Sequence, residues 1–422
     1  MKHIVVIGGG FAGINFVRNL RVNQDFQITL VDRNNYNFFP PLLFQVATGF
    51  IEPSNISYPF RRLFRRTNVR FRLGEFKEVD ALNRRVVLSN GTLSYDLLVF
   101  CTGAETNYFG NENVKKNSLP MKTIDDALEL RNHLLQRLEE AILADDLQQR
   151  KKLLSIVVAG AGPTGVEVAG TLAEIKRSII AKDYPETDNE GFEFHLYLVD
   201  GGPSVLTTMA DPSRNTTHRA LAKLGVELKL NVQVTNYIDD DVVLSTGERI
   251  ASKTLVWAAG VSATKLAGMP DESFGKGRRL IVDQFNKVKG CMDVYAVGDT
   301  CIETSDPRFP NGHPQVAQVA LQQSKNLAHN FSVMLKGKDL RPFTYVDKGA
   351  MAIIGWNKAV VDLPMRGFHL KGGVAWFTWL FLHLFFIVNF RNRLKTLFNW
   401  VGAYWTRDQS LRIIFRPRLK DS

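Results

Sequence analysis

The sequence is poor in cysteine, with three in 422 residues. Cys101, Cys291 and Cys301 have none of the C-x-x-C spacings that are typical of a zinc site or a redox-active pair. We also expect no secretory signal in the first residues, because the apolar run at residues 4–7 is too short for one and passes directly into glycines, as a first strand would. We therefore expect an intracellular protein with no metal site, whose cysteines serve as small packed residues.

Acidic residues are fewer than basic ones, and the imbalance is uneven along the chain. The net charge is +11, and residues 364–422 contain ten Lys or Arg against two Asp, so this tail contributes +8 of it. A basic tail is typical of proteins that bind nucleic acid or an anionic membrane surface. The apolar and aromatic run at residues 374–390 offers no groove for phosphates, which argues against nucleic acid.

The chain contains one structural pattern twice. In each copy a β-branched run breaks into glycines, a helical stretch follows, and a second apolar strand ends in an acid. A strand-and-turn signal and a strand ending in small residues come next. The paired segments are 4–13 and 156–165, 28–32 and 196–200, 86–91 and 242–247, and 97–103 and 255–260. The repetition predicts two Rossmann-type domains.

The glycine motif of each copy is suited to a dinucleotide. In G-x-G-x-x-G the first glycine makes a tight turn, the second lets a pyrophosphate approach the helix N-terminus, and the third lets helix and strand pack closely. The acid that ends the next strand, Asp32 or Asp200, accepts a hydrogen bond from a ribose hydroxyl. An acid here repels a 2′-phosphate, which favours NADH over NADPH. The alternative is that both motifs are only tight βα turns.

A third marker follows the second copy. Residues 294–299 form a strand that ends in Gly298 and Asp299, which places a carboxylate where a flavin ribityl chain would meet it. The first domain is therefore completed by a later stretch. We expect an α/β fold in which an NADH-binding domain (150–268) is inserted in an FAD-binding domain (1–120 and 270–355). A C-terminal amphipathic, helical membrane-association region (364–422) completes the chain.

Three polar side chains are candidates for the chemistry. Gln318 and Gln322 are four residues apart and share a helix face, where neutral amides can hydrogen-bond quinone carbonyls; Pro314 suits the first turn of that helix. The alternative is an amphipathic helix with surface glutamines. Glu167 follows the second glycine motif and is placed to accept from the nicotinamide carboxamide, or else is a favourable charge at a helix N-terminus.

The C-terminal apolar run is at the short limit for crossing a bilayer, and a second segment at residues 397–405 adds interfacial aromatics. Aromatics flanked by cations favour helices that lie in the interface plane on anionic lipid. The alternative is a buried core or dimerisation helix. An earlier arginine cluster at residues 61–72 faces either headgroups or solvent.

Together these motifs resemble the type II NADH:quinone oxidoreductases, which are single-subunit and do not pump protons. The resemblance covers essentially the whole chain. Its carriers are the two glycine motifs, the segment 40–49 (PPLLFQVATG), the strand 295–299, the A-Q-x-A-x-Q element with the glutamine that follows it (317–323), and the stretch 379–393. It implies that Asp299 holds the FAD ribityl, Glu167 the nicotinamide, and Gln318 and Gln322 the quinone, with segment 40–49 near the isoalloxazine.

The candidate contacts are then as follows. The catalytic candidates are Glu167, Gln318 and Gln322. The FAD contacts are Gly8, Gly10, Phe11, Ala12, Gly13, Asp32, Thr102, Gly103, Gly298, Asp299, Ala317 and Gln318. The NADH contacts are Gly160, Gly162, Pro163, Thr164, Gly165, Glu167, Asp200 and Gly260.

The implied activity is oxidation of NADH, with two electrons passing through FAD to a membrane quinone. The implied setting is a peripheral protein, as a homodimer, on the cytoplasmic face of the cell or inner membrane. One rival is another flavoprotein of the same fold, such as a sulfide:quinone oxidoreductase. A second is a redox sensor that binds FAD and NADH without turnover.

Overall fold

The structure, a computed structural model, describes residues 1–176, 180–188, 192–365, 367–406 and 411–414. The strands are β1 (Lys2–Ile7), β2 (Phe26–Asp32), β3 (Tyr36–Phe38), β4 (Ser57–Pro59), β5 (Val69–Leu73), β6 (Phe76–Asp80), β7 (Arg85–Leu88), β8 (Gly91–Ser94), β9 (Leu97–Phe100), β10 (Ala104–Thr106), β11 (Leu119–Pro120), β12 (Ser155–Ala159), β13 (His195–Asp200), β14 (Val226–Leu230), β15 (Val234–Ile238), β16 (Asp241–Leu244), β17 (Arg249–Ala251), β18 (Thr254–Trp257), β19 (Val261–Ala263), β20 (Leu280–Ile281), β21 (Val294–Ala296), β22 (Cys301–Ile302), β23 (Ala350–Gly355), β24 (Lys358–Asp362) and β25 (His369–Lys371).

The helices are α1 (Phe11–Leu20), α2 (Leu43–Ala47), α3 (Pro53–Ile56), α4 (Phe60–Leu63), α5 (Glu112–Asn117), α6 (Ile124–Leu143), α7 (Leu147–Leu154), α8 (Pro163–Ile175), α9 (Ala181–Asp183), α10 (Asp211–Lys223), α11 (Ala317–Met334), α12 (Gly372–Phe386) and α13 (Phe390–Thr406). The chain divides into two compact units. The first unit comprises residues 1–38, 57–105 and 261–347, and the second comprises 39–56, 106–260 and 348–422.

The first unit is built on a parallel sheet in the order β21–β9–β1–β2–β5. Side chains alternate across this sheet, as the period of a strand requires. Ile4 and Val6 pack with Phe16 of α1 and Phe331 of α11 on one face. On the other face the apolar residues pack under the antiparallel strands β6–β7–β8. Both faces are covered, as is usual for a parallel sheet.

The second unit repeats this plan. Its parallel sheet runs β11–β18–β12–β13–β14, and the antiparallel strands β15–β16–β17 cover one face. In both units the glycine-bearing strand, β1 or β12, is central and is flanked by the strand that ends in an acid and by the strand that ends in small residues. The duplication that the sequence predicts is therefore confirmed, and the second copy interrupts the first along the chain.

The second unit also contains the C-terminal region. The antiparallel strands β23–β24–β25 pack on α8, with α12 and α13 after them. The approach to α8 is close, since a Cβ on Gly170 would lie 1.8 Å from the carbonyl oxygen of Ile354. The apolar stretch 374–390 crosses an interruption, because α12 ends at Phe386 and α13 begins at Phe390. The domain boundaries expected from the sequence remain predictions.

Candidate functional site

The first glycine turn connects β1 to α1 and is shaped as the motif predicts. Gly8 has a φ of 101°, and a Cβ there would lie 2.4 Å from the carbonyl oxygen of Cys101. A Cβ on Gly13 would lie 1.9 Å from the carbonyl oxygen of Gly8. Gly10 differs, because a Cβ on it would meet nothing within 4 Å. The open side of Gly10 at the start of α1 is where a pyrophosphate would lie, so the turn fits a dinucleotide.

The second turn, between β12 and α8, has the same design. Gly160 has a φ of 103°, and a Cβ there would lie 2.5 Å from the carbonyl oxygen of Ala258. Gly165 packs against Gly160, while a Cβ on Gly162 would meet nothing within 4 Å. Pro163 begins α8 without loss of a helical hydrogen bond. The second turn therefore fits a dinucleotide for the same reason as the first.

The two acids are held identically. Oδ2 of Asp32 accepts from the backbone N–H of Gly9 at 2.6 Å, and Oδ2 of Asp200 accepts from the backbone N–H of Ala161 at 2.6 Å. Burial raises the pKa of Asp32. Asp200 is much further from its glycines in the sequence than Asp32, yet it reaches the equivalent position because β13 pairs directly with β12. Both carboxylates therefore end their strand beside the glycine turn, where a ribose is bound in this fold.

The carboxyl ends of the strands in the first unit converge on Gly298. A Cβ on Gly298 would lie 3.5 Å from the Cβ of Ala12, at the start of α1. Thr102 and Thr300 share a hydrogen bond of 2.9 Å between their hydroxyls, which joins the β9 turn to the segment of Asp299. The structure thus brings these predicted FAD contacts together at one edge of the sheet.

Two further residues that the sequence did not single out support this edge. Gln323 is buried, and its Oε1 accepts from the backbone N–H of Gly298 at 2.7 Å. Asn37 is also buried and donates from Nδ2 to the carbonyl oxygen of Gly9 at 3.0 Å. Each orients the backbone of a turn from a distant part of the sequence. A buried amide has no local sequence signature, so only the folded chain identifies these two.

The A-Q-x-A-x-Q helix begins later than predicted. α11 starts at Ala317, with Val316 as its N-cap, so Pro314 lies before the first turn. The prediction for Pro314 was wrong because the carbonyl of Pro314 accepts from the N–H of Val316 in a short turn at 3.0 Å instead of starting the helix. Ala317 and Gln318 are the first two residues of α11.

The two glutamines of α11 have different partners. The side chain of Gln322 donates to the carbonyl of Val346 at 2.8 Å and accepts from its N–H at 3.0 Å. Gln318 donates to Oδ1 of Asp347 at 3.4 Å. Through its nitrogen and its oxygen, the amide of Gln322 therefore fixes the chain after α11 with two hydrogen bonds. Gln318 lies one helical turn earlier than Gln322 and is tied to the neighbouring residue, Asp347.

Glu167 lies in α8 of the second unit, and its carboxyl is enclosed by protein. Burial raises its pKa from 4.5 to about 8, and a hydrogen bond from the backbone of Ile353 offsets part of this rise. The indole of Trp379 also faces the carboxyl, although its Nε1 lacks ordinary hydrogen-bond geometry toward it. To accept from a nicotinamide carboxamide, as predicted, the carboxyl would have to leave these contacts. As placed, it is a neutral acid at pH 7.

An aromatic cleft lies near Glu167 within the second unit. It is lined by Phe44, Gln45, Phe50, Thr171, Ile353, Gly355, Trp356, Trp376, Leu380, Trp400 and Ala403. Trp356 stacks on Tyr404 with ring centroids 4.9 Å apart, and Nε1 of Trp400 donates to Oε1 of buried Gln45 at 2.8 Å. The cleft is thus walled by the C-terminal helices and by the segment 40–49.

The outer sides of α12 and α13 are strongly apolar and exposed. The exposed members are Val374, Phe377, Phe381, Leu382, Phe385, Phe386, Phe390, Leu394, Leu397, Phe398, Val401, Tyr404 and Trp405. Trp376, Trp379 and Trp400 point inward and are buried. Among the residues that the structure describes, no helix is long and apolar enough to cross a membrane. Half of the basic tail, Arg366, Arg407, Arg416, Arg418 and Lys420, lies outside the described residues.

The three cysteines are buried, which agrees with the prediction that they are small packed residues. Burial raises the pKa of Cys301 to about 12, and it raises that of Cys101 further still. Neither side chain is therefore a thiolate at neutral pH, which is the form that attacks a disulfide or a sulfide adduct.

Comparisons with known proteins agree with this geometry. Residues 2–324 match the family described as pyridine nucleotide-disulphide oxidoreductase, and residues 348–407 match the NDH2 C-terminal domain. The type II NADH:quinone oxidoreductase NdhA of Mycobacterium tuberculosis is 36% identical over 422 residues, covering 96% of this chain and 87% of that protein. A second such enzyme, Ndh of the same organism, is 35% identical over 414 residues, covering 95% of this chain and 88% of that protein.

Solved structures show the same fold. NDH2 from Plasmodium falciparum in complex with NADH superposes with a TM-score of 0.88 at 21% identity, covering 98% of this chain and 100% of that one. The sulfide:quinone oxidoreductase of Aquifex aeolicus gives 0.72 at 21% identity, covering 97% and 96%. The family model matches three quarters of the sequence, and the two relatives are more than one-third identical to it over nearly all of its length. Both findings agree with the two glycine turns and with the C-terminal region. The chain therefore belongs to the type II NADH:quinone oxidoreductases of the pyridine nucleotide-disulphide oxidoreductase family.

Proposed function

We propose that this protein oxidises NADH and transfers two electrons through bound FAD to a membrane quinone, without pumping protons. The observation that carries the proposal is the pair of nucleotide cradles, by which we mean the two glycine turns with their acids. In each, the second glycine has free space beside it, and the acid accepts a hydrogen bond from the backbone of the turn. When bound, FAD supplies the chemistry of accepting a hydride equivalent from a nicotinamide and releasing electrons to a quinone.

The first unit is proposed to hold FAD. Gly8, Gly10 and Gly13 would accommodate its pyrophosphate at the N-terminus of α1, and Asp32 would bind the adenosine ribose. Asp299 would bind the ribityl chain, on a backbone that Gln323 and Thr300 hold in place. The remaining candidates, Phe11, Ala12, Thr102, Gly103 and Ala317, lie in the same turns.

The second unit is proposed to hold NADH. Gly160, Gly162 and Gly165 would accommodate its pyrophosphate at the N-terminus of α8, with Pro163 and Thr164 in the first turn. Asp200 would accept from the ribose 2′-hydroxyl, which excludes a 2′-phosphate by repulsion. Gly260 would lie near the nicotinamide end, where the absence of a side chain lets the ring of Phe109 approach, since a Cβ there would meet that ring at 2.9 Å.

For the quinone, Gln318 is proposed to donate a hydrogen bond to a carbonyl of the headgroup, with Gln322 maintaining the local backbone. Reduction of a quinone also consumes protons. We propose that Glu167 serves as a proton donor for this step, because burial keeps its carboxyl protonated at neutral pH.

The exposed apolar surface of α12 and α13 is proposed to rest in the interface of an anionic membrane, with Arg391, Arg393 and Lys395 at the headgroups. Such a contiguous apolar surface marks an interaction site in a protein. The expectations of a homodimer and of the cytoplasmic face rest on the family resemblance.

Anaerobic stopped-flow absorbance separates the two halves of the reaction. The enzyme with bound FAD is first mixed with NADH and then with a water-soluble quinone. We expect bleaching of the flavin band by NADH and full recovery with quinone. A flavin that NADH reduces but that quinone does not reoxidise would refute the proposed acceptor, and would favour a sensor that does not turn over.

A further inference from the structure

Three arginines of the cluster at residues 61–72, namely Arg61, Arg70 and Arg72, line a cleft in the first unit that the proposed reaction does not use. The cleft has a volume of about 550 Å³ and is bounded by His3, Gln27, Thr29, Arg61, Arg70 and Arg72, which we call the arginine cleft. This volume is within the range of small-molecule sites in proteins, roughly 300–1,000 Å³. It is therefore large enough for a ligand of nucleotide size.

The floor of the arginine cleft departs from the pattern of its sheet. In the register of β1, β2 and β5, His3 is opposite Gln27 and Thr29 is opposite Arg70, so their side chains share one face. Further along the strands the same face carries Val5, Ile7 and Val31, which are buried under the β6–β7–β8 strands. Strands of a parallel sheet are normally apolar on both faces. The polar row makes the floor of the arginine cleft hydrophilic where the rest of this face is apolar.

The cleft is also distant from the cofactor edge. His3 and Gln27 lie at the amino ends of their strands, whereas the glycine turn follows the carboxyl end of β1. Gly8 is five positions after His3 along the chain, which corresponds to about 16 Å at the usual rise of a strand. A ligand in the arginine cleft would therefore be separate from FAD.

The three arginines are held in different ways. Arg72 donates to the backbone carbonyls of Asn90 at 2.8 Å and Thr92 at 3.3 Å, which fixes its guanidinium at the wall. The guanidinium of Arg61 lies over the ring of Phe71, 5.4 Å from its centroid. Arg70 is exposed. In the described part of the chain, none of these three forms an ion pair with a carboxylate within 4 Å.

Polar groups between the arginines complete the site. Nε2 of His3 and the hydroxyl of Thr29 share a hydrogen bond of 2.8 Å on the floor. The nearest acid, Asp96, accepts from the backbone N–H of His3 at 2.6 Å. Three guanidinium groups with hydroxyl and amide neighbours are the donors that bind phosphate oxygens in proteins.

We propose that the arginine cleft binds the phosphate groups of a ligand other than FAD and NADH. The shared chemistry is a phosphate dianion or polyphosphate. Its source is either a soluble phosphorylated compound or the headgroups of an anionic phospholipid, and the experiment distinguishes the two.

The first arm is calorimetric titration of the FAD-containing enzyme with inorganic tripolyphosphate, in low salt and with saturating NAD⁺ to occupy the proposed NADH site. Arg61→Gln and Arg70→Gln each remove one guanidinium from the cleft. Arg62→Gln is the matched control, because Arg62 lies over the ring of Tyr58 at 5.7 Å and does not line the cleft. Since these side chains are exposed, the variants should fold, and unchanged NADH:quinone activity checks this.

We expect the wild type and Arg62→Gln to bind tripolyphosphate equally, and each cleft variant to bind about tenfold more weakly, the usual loss for one charge-assisted hydrogen bond. The second arm measures sedimentation with vesicles of phosphatidylglycerol and phosphatidylcholine. If the cleft variants bind more weakly than the wild type only to vesicles, the phosphate that the cleft recognises is that of a lipid headgroup. Equal binding by all four proteins in both arms, or no binding of either probe, overturns the proposal.

Discussion

Replacement of Glu167 by glutamine tests the claim that this buried carboxyl is neutral in the folded enzyme. In the wild type, burial raises the pKa from 4.5 to about 8. Between these values the folded state keeps a proton that the unfolded state has lost. The free energy of unfolding should therefore fall by up to about 1.4 kcal/mol per pH unit as pH rises, and level off above the folded pKa.

Glutamine has nearly the same shape and does not titrate, so Glu167→Gln should lack this slope. From pH 6 to pH 7.5 the variant should gain on the order of 2 kcal/mol relative to the wild type, with the full difference reached above about pH 8. His383, which stacks on Trp379, contributes equally to both proteins. Burial lowers its folded pKa to about 4, and its unfolded imidazole, with the ordinary pKa of 6.5, titrates alike in the wild type and in Glu167→Gln, so its effect cancels in the difference.

The assay is urea unfolding of the FAD-containing enzyme in detergent, followed by flavin and tryptophan fluorescence at several pH values. Glu129→Gln is the matched control, since Glu129 is exposed on α6. It should run parallel to the wild type. Parallel curves for the wild type and Glu167→Gln would refute the reasoning, because the carboxyl would then be ionised in the folded state. The kinetic counterpart is slower quinone reduction by Glu167→Gln, with reduction of the flavin by NADH retained.

Four further outcomes are expected. Gly10→Ala should fold normally yet release FAD, as measured by the flavin absorbance of the purified protein, whereas Gly13→Ala should lose several kcal/mol of stability by clashing with the turn. Gln318→Ala should raise the KM for quinone or lower kcat and leave reduction of the flavin by NADH intact; equal damage to both steps would contradict its role. Replacing all three buried cysteines by serine should preserve NADH:quinone activity, and abolition would revive a thiol mechanism. Phe381→Ser should weaken vesicle binding without change in activity toward a water-soluble quinone, and undiminished sedimentation would count against the membrane surface.

The nucleotide cradles were predictable from the sequence because a βα turn is a local structure. Only one backbone path satisfies the spacing of Gly8, Gly10 and Gly13 together with the acid that ends the next strand. The repeat of the pattern in the second unit strengthened the prediction of a dinucleotide-binding turn. Even Asp200, distant in sequence from Gly160, could be assigned from its strand alone, and β13 places it as Asp32 is placed.

The surroundings of the catalytic candidates depended on tertiary structure. In the sequence, the position of Glu167 indicates a charge at a helix N-terminus. In the folded chain, strand β23 and helix α12, nearly two hundred residues further along, cover its carboxyl, and this burial raises its pKa. The amide of Gln322 is likewise hydrogen-bonded to the backbone of Val346, a contact that no local pattern predicts.

Local sequence thus determined which backbone turns and which pairs of strands form, since glycine conformation and side-chain alternation act over a few residues. The burial of particular polar side chains, by contrast, depended on the packing of segments that are distant in the sequence. That is why the arginine cluster could be read as headgroup-facing or solvated, and why only the register of β1, β2 and β5 revealed a polar floor beside it.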